Sequence, residues 1–173
     1  MAAAPMKYGD DGSVDWGNMW ESFCALAQEG GPPHRATMLA GAPPAEDELT
    51  HYDAVCAEIA RGIAAVSGLR AAAAEPGWIA VSCPTAGMAG WLAEAIVAEH
   101  VAARHTGKQL FVPAAASYGV AGEVKSVITA VAKTTHYWHD HLPPPIKQAL
   151  VVQERLDGLT HAIGRLFGRI PTS

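Results

Sequence analysis

Residues 76–100 have the sequence PGWIAVSCPTAGMAGWLAEAIVAEH, in which the hydrophobic pattern changes from that of a strand to that of a helix. Pro76 and Gly77 interrupt the preceding helical pattern, and residues 78–82 have the composition of a short buried strand. A helix then begins at Pro84 or Thr85 and carries larger apolar side chains at helical spacing to about His100. A strand followed directly by a helix predicts a fold that contains both.

Two helices are predicted before this stretch. The first runs from about Asp15 to Gln28, and the second runs from Ala45 to about Ala74 and opens with three acidic residues, which the helix dipole favours. The connection between them, residues 30–44, contains four prolines and three glycines. Because proline and glycine interrupt regular structure, this connection is predicted to be irregular, with a short edge strand at residues 37–39.

After residue 100, the pattern predicts a hairpin and two more helices. Residues 101–104 and 109–113 form its strands, with a glycine-containing turn at residues 105–108. The helices run from about Ala121 to His141 and from about Ile146 to Gly168. Five helices around a sheet of three or four strands predict an α+β fold, with a mixed α/β fold as the alternative. We expect a single globular domain over residues 15–170 after a flexible tail at residues 1–14.

Composition excludes several classes of protein. Half of the 173 residues are hydrophobic and 17% are charged, which is typical of a folded chain. The 12 basic side chains do not cluster and the net charge is −5, so we expect no binding to nucleic acid or to a membrane. The three cysteines have no CxxC spacing, which predicts a cytoplasmic protein. Tryptophans on several predicted buried helix faces indicate a homo-oligomer.

The segment Ser82–Gly90 is the first candidate site. It places Cys83, Thr85 and Gly87 at the start of a helix, where unpaired backbone N–H groups and the helix dipole attract anions and lower the pKa of a thiol. We therefore expect an anionic small molecule to bind there. The structural alternative is that Thr85 only caps the helix, that the glycines allow close packing, and that Cys83 is buried and inert.

Other segments supply candidate partners for Cys83. His136 or His34 is the predicted acid or base for a nucleophilic thiolate. Arg35 follows two prolines and is predicted to orient a substrate carboxylate or phosphate. Lys125 and Lys133 share one helical face with Thr129 and His136, which predicts contacts with an anionic ligand. The alternatives are an exposed polar face for the lysines and a structural role for Arg35.

The second candidate site is the sequence HYWHDH at His136–His141. At 100° per residue, His136 and His139 lie about 60° apart, whereas His141 lies about 140° from His136. A regular helix therefore pairs His136 with His139 and excludes His141, and Asp140 lies one turn from His136. This arrangement predicts a site for zinc or iron that needs ligands from other segments. The alternative is that these histidines are solvated or pair with neighbouring side chains, because the lysines on the same helical face would repel a cation.

Two functions stay open at this point. The first is a small enzyme, or enzyme-like protein, that binds an anionic molecule at the Ser82–Gly90 turn and uses Cys83 with a histidine. The alternative is an oligomeric assembly protein or metal-binding protein that uses the His136–His141 helix end. The sequence does not decide whether the protein is an enzyme.

Overall fold

A four-stranded antiparallel sheet forms one layer of the fold in the computed structural model, which describes residues 6–19 and 36–150. The strands pair in the order β1-β2-β4-β3, so the two central strands are β2 and β4. Their ranges are Arg70–Ala73 for β1, Trp78–Ser82 for β2, Arg104–Thr106 for β3 and Gln109–Pro113 for β4. The predicted strand at residues 78–82 is present. The predicted hairpin is present too, but its first strand is Arg104–Thr106 and not residues 101–104.

The two faces of the sheet differ because side chains alternate along each strand. Ile79, Val81, Leu110 and Val112 are buried against the helices. On the opposite face, Trp78 and Phe111 are partly exposed, and the guanidinium of Arg104 lies 4.7 and 4.4 Å from their ring centroids. Arg104 also forms an ion pair with Glu75. The outer aromatic surface of the sheet is thus covered by an arginine of the neighbouring strand.

Helices pack on the inner face, which confirms the α+β class. Three are complete, namely α1 at Leu49–Ser67, α2 at Ala86–Ala98 and α3 at Lys125–His136. A fourth, α4, is seen at residues 144–150. The described residues therefore hold four α-helices and not the five predicted. Of the predicted helix from Asp15 to Gln28, the described part contains a 3₁₀ turn at Gly17–Met19, and residues 20–28 lie outside the described ranges.

The prediction that α1 extends to about Ala74 is wrong. The helix ends at Ser67, and Gly68 takes a left-handed conformation at φ 70°, with its N–H bonded to the Ala64 carbonyl. Glycine reaches this conformation without the steric cost that a Cβ imposes, which makes it an effective helix stop. The following alanines then pair with β2, with Ala71 opposite Val81. Strand pairing therefore overrides the helical preference of an alanine run.

The segment at residues 6–19 is held against α1 by a small polar cluster. Trp16 is buried, and its indole N–H donates to Glu58 at 2.8 Å. Arg61 donates to both oxygens of Glu58 and to the Val14 carbonyl. Hydrogen bonds from Arg61 hold the pKa of Glu58 below its usual value. These contacts fix the beginning of the described chain to the helical layer.

Helix α3 packs against both α1 and α2, which buries it on nearly all sides. Its buried residues include Lys125, Thr129 and Lys133 as well as the apolar side chains. The turns that flank it, Val120–Val124 and Tyr137–His141, are both π-helical. In the ranges covered by the structure, no helix combines the length and apolar character required to span a bilayer. Helix α3 is the central element that positions most of the candidate residues.

Candidate functional site

The start of α2 is organised by Thr85. Its backbone is extended, and its hydroxyl oxygen accepts a hydrogen bond from the Met88 N–H at 3.0 Å. This is the usual arrangement of an N-cap, in which a side-chain oxygen satisfies one of the unpaired N–H groups of the first turn. Neither Ala86 nor Gly87 is without a partner. Thr85 therefore caps the helix, as the structural alternative expected.

Cys83 lies between β2 and α2, where its environment is apolar. The residue is buried, and its Sγ lies 4.0 Å from the Val81 carbonyl oxygen. Burial raises the pKa of the Cys83 thiol from 9.0 to about 11, because the thiolate would lose its solvation. The prediction of a lowered pKa at this helix start is wrong. The catalytic role of Cys83 stays a prediction, and the thiol has the properties of a core side chain.

The glycines of the same turn are used for packing. A Cβ added to Gly87 would lie 3.1 to 3.2 Å from atoms of Leu150 in α4. One added to Gly90 would lie 3.3 Å from the ring of His105. These distances are shorter than ordinary van der Waals contacts. The lack of a side chain at Gly87 therefore lets Leu150 pack closely, and the lack of one at Gly90 does the same for His105. This is the packing role given above as the structural alternative for these glycines.

The predicted partners from the first loop, His34 and Arg35, lie outside the described residues. Their proximity to Cys83 is therefore untested. The chemical assignment of His34 as acid or base and of Arg35 as substrate clamp stays a prediction.

Lys125 and Lys133 of α3 do not form an exposed polar face, which was the alternative to a role in binding an anion. Lys125, Thr129 and Lys133 follow one another at intervals of one turn, and all are buried. Burial lowers the pKa of Lys125, because desolvation disfavours the ammonium form. The exposed-face interpretation is wrong because α3 is enclosed by α1 and α2, a contact that the pattern of a single helix does not reveal.

Lys133 forms a buried ion pair with Glu99. The Lys133 Nζ lies 2.6 Å from Glu99 Oε1, and the side chains are only 10% and 14% exposed. Glu99 stands at the C-terminal end of α2, so the ion pair links the two helices. Its other oxygen, Oε2, has no hydrogen-bond partner within the described chain. Lys133 therefore neutralises a carboxylate that would otherwise be buried without compensation.

The turn Tyr137–His141, which follows α3, brings together His136 and His141. Their Nε2 atoms are 3.2 Å apart, and their ring centroids are 5.0 Å apart. On the other side of the His136 ring, Nδ1 lies 2.8 Å from Asp140 Oδ2. His136 is largely buried at 13% exposure, whereas Asp140 is 60% exposed and His141 is exposed. The pair of imidazoles therefore lies at the protein surface.

This pairing corrects the prediction that His136 faces His139. Residues Tyr137–His141 form a π turn, closed by the bond from the Leu142 N–H to the Tyr137 carbonyl at 2.9 Å. A π turn connects residues five apart, so it moves His141 onto the side occupied by His136. The argument from 100° per residue fails because the helix is not regular here. His139 is exposed, and its carbonyl accepts a bond from Lys147.

The hydrogen bond to Asp140 fixes the chemistry of the His136 ring. When Nδ1 carries the proton that is donated to Asp140, Nε2 has the lone pair that can accept a proton or bind a metal ion. That nitrogen faces His141 Nε2 at hydrogen-bond distance, 3.2 Å, so that one imidazole donates to the other in the absence of a metal. Across the described ranges, no set of three or more His, Cys, Asp or Glu side chains is arranged to hold a metal. The turn thus offers two nitrogen ligands, with Asp140 orienting one of them.

Comparison with protein-family models, with curated proteins and with solved structures finds no match to this chain.

Proposed function

We propose that this protein binds a divalent transition-metal ion, zinc before others, through His136 and His141. The observation that carries the proposal is the convergence of the two Nε2 atoms at 3.2 Å. Two nitrogens bound to one tetrahedral zinc ion at 2.0 to 2.1 Å would be ~3.3 Å apart. Little movement is therefore required for both rings to contact the same ion.

The surroundings of the pair support a cation. The turn follows the C-terminal end of α3, where the negative end of the helix dipole favours positive charge. Lys133 lies one turn before His136, but its charge is balanced by Glu99 at 2.6 Å. Repulsion from this lysine, which opposed a metal site in the sequence, is thereby reduced. Imidazole is a preferred ligand of zinc, and water would occupy the remaining positions in a single chain.

Asp140 has a supporting role in this proposal. Its carboxylate accepts a hydrogen bond from the Nδ1 of His136 and orients the ring. Such carboxylate and histidine pairs accompany many zinc sites, and loss of the carboxylate weakens metal binding by about 10- to 100-fold. Asp140 is therefore a positioning residue, and the two histidines are the ligands.

Titration calorimetry with zinc chloride on the full chain tests the proposal. We expect His136→Ala and His141→Ala each to weaken zinc binding by about tenfold or more, because each removes one of two ligands. His139→Ala is the matched control, because His139 is on the same turn and outside the pair; its affinity should stay within about twofold of the parent. A loss in His139→Ala equal to that in His141→Ala, or zinc binding unaffected by all three changes, would overturn the proposal.

The anionic-ligand function at Ser82–Gly90 stays a prediction with less support. The Thr85 hydroxyl is used as a helix cap, and the spaces beside Gly87 and Gly90 are occupied by Leu150 and His105. The raised pKa of Cys83 gives its thiol little thiolate character at neutral pH. We therefore place the function of this chain at the end of α3 and not at the start of α2.

A further inference from the structure

The described residues supply half of the ligands of a tetrahedral zinc site. Structural zinc sites in proteins are almost always tetrahedral with four protein ligands, whereas His136 and His141 supply two. Asp140 is engaged on the far nitrogen of His136, so it does not point to the space between the Nε2 atoms. The further pair of ligands therefore comes from outside the described residues.

Another molecule can reach the pair from the side of His141, since His136 itself is only 13% exposed. His141 is exposed, and Asp140 is 60% exposed. The residues that follow the pair are also exposed, namely Pro143, Pro144, Pro145 and Ile146. Ile146 is 46% exposed although it is a large aliphatic residue. An apolar strip beside the ligands gives a partner a surface to cover, because burial of apolar area favours association.

A second copy of the same chain matches this surface. In a two-fold arrangement each copy presents the same patch, so the same two histidines arrive from both sides and complete four nitrogen ligands. The charged groups at the patch are Asp140 and Lys147, which have opposite signs and therefore add little net repulsion between copies.

On this basis, which rests on the proposed zinc binding, we propose that two copies of the chain share one zinc ion, each supplying His136 and His141. Zinc binding and dimer formation are then coupled, so zinc stabilises the dimer and the dimer raises the affinity for zinc. The sharing of one ion distinguishes this inference from zinc binding to a single chain.

Sedimentation equilibrium and native mass spectrometry on the full chain test the inference. After treatment with EDTA the weight-average mass should be that of one chain, and half an equivalent of zinc chloride should raise it twofold. The native mass spectrum should show two chains with one zinc ion. His141→Ala should stay monomeric at this zinc concentration, whereas His139→Ala should dimerise as the parent does.

Each other outcome has a defined meaning. A monomer with one zinc ion, still weakened by His136→Ala or His141→Ala, overturns the shared site but keeps the proposed zinc function. A dimer that persists in EDTA, or that forms with His141→Ala, overturns the metal bridge. Absence of zinc binding in calorimetry overturns the inference and the proposed function together.

Discussion

The start of α2 and the turn that follows α3 both contain polar side chains that the sequence marks as candidate sites, but the fold uses the two groups differently. At the start of α2, Thr85 caps the helix, burial raises the pKa of the Cys83 thiol, and the spaces beside Gly87 and Gly90 are filled. At the end of α3, His136 and His141 face each other at the surface. The comparison shows that packing already uses the polar groups at the start of α2, whereas the two imidazoles after α3 contact each other.

The boundary between these two uses falls within α3 itself. Lys133 belongs to the interior and is paired with Glu99, whereas His136, three residues later, belongs to the surface pair. Removing a side chain from the interior should cost stability, and removing one from the surface pair should cost binding. Three stability predictions, in addition to the two zinc experiments above, test whether Lys133, Cys83 and Thr85 have the structural roles described here.

The largest effect is expected for Lys133→Met. The substitution retains most of the aliphatic volume but leaves Glu99 buried without its cation, and loss of one partner of a buried ion pair costs about 3 kcal/mol or more. Urea unfolding would measure the change in the free energy of unfolding. His141→Ala, which alters an exposed residue, should change it by less than about 0.5 kcal/mol. Equal losses in the two variants would break the division between interior and surface.

A second effect concerns alkaline pH and Cys83. The folded thiol has its pKa raised to about 11, whereas the unfolded thiol titrates near 9.0, so the stability it contributes is complete below pH 9 and decreases as the pH rises towards 11. Between about pH 8 and pH 11 the resulting loss is about 2 kcal/mol.

Unfolding of the parent and of Cys83→Ala across this pH range isolates the contribution of Cys83. The pKa values of Cys56 and Tyr52 are also raised by burial, and that of Lys125 is lowered, but these groups are common to both proteins. We expect a shallower alkaline decrease for Cys83→Ala. Parallel curves would show that Cys83 is not a buried, protonated thiol and would restore it as a candidate nucleophile.

The smallest effect is expected for Thr85→Ala. Loss of the cap leaves a first-turn N–H without its acceptor and should lower the free energy of unfolding by about 1 kcal/mol. Thr85→Ser keeps a hydroxyl in the same place and should retain most of that stability. Unchanged thermal and urea unfolding in Thr85→Ala would mean that the hydroxyl is not a structural cap, which would favour the ligand-binding role predicted from the sequence.

Much of the strand and helix pattern around β2 and α2 could be predicted from the sequence. Residues 78–82 are the observed β2, and Thr85 caps the helix that follows. The sequence singled out the histidines at the end of α3 as candidate ligands, which stays a prediction, but it paired His136 with His139 and not with His141. The sequence contains no periodic signal for a π turn, since one additional residue in a turn depends on the local hydrogen bonds and on packing around them.

Local sequence determined the elements whose causes are local. An apolar strand and a Thr cap act within a few residues, so their effect can be predicted from the chain. Gly68 also acts locally, but the alanine run after it favoured a longer helix and its stop was missed. Only the tertiary structure decided that residues 70–73 pair as β1, that α3 lies between α1 and α2 with Lys133 buried, and that His141 meets His136. These outcomes depend on segments distant in sequence or on a departure from regular helix geometry, and a periodicity measured along one segment contains neither.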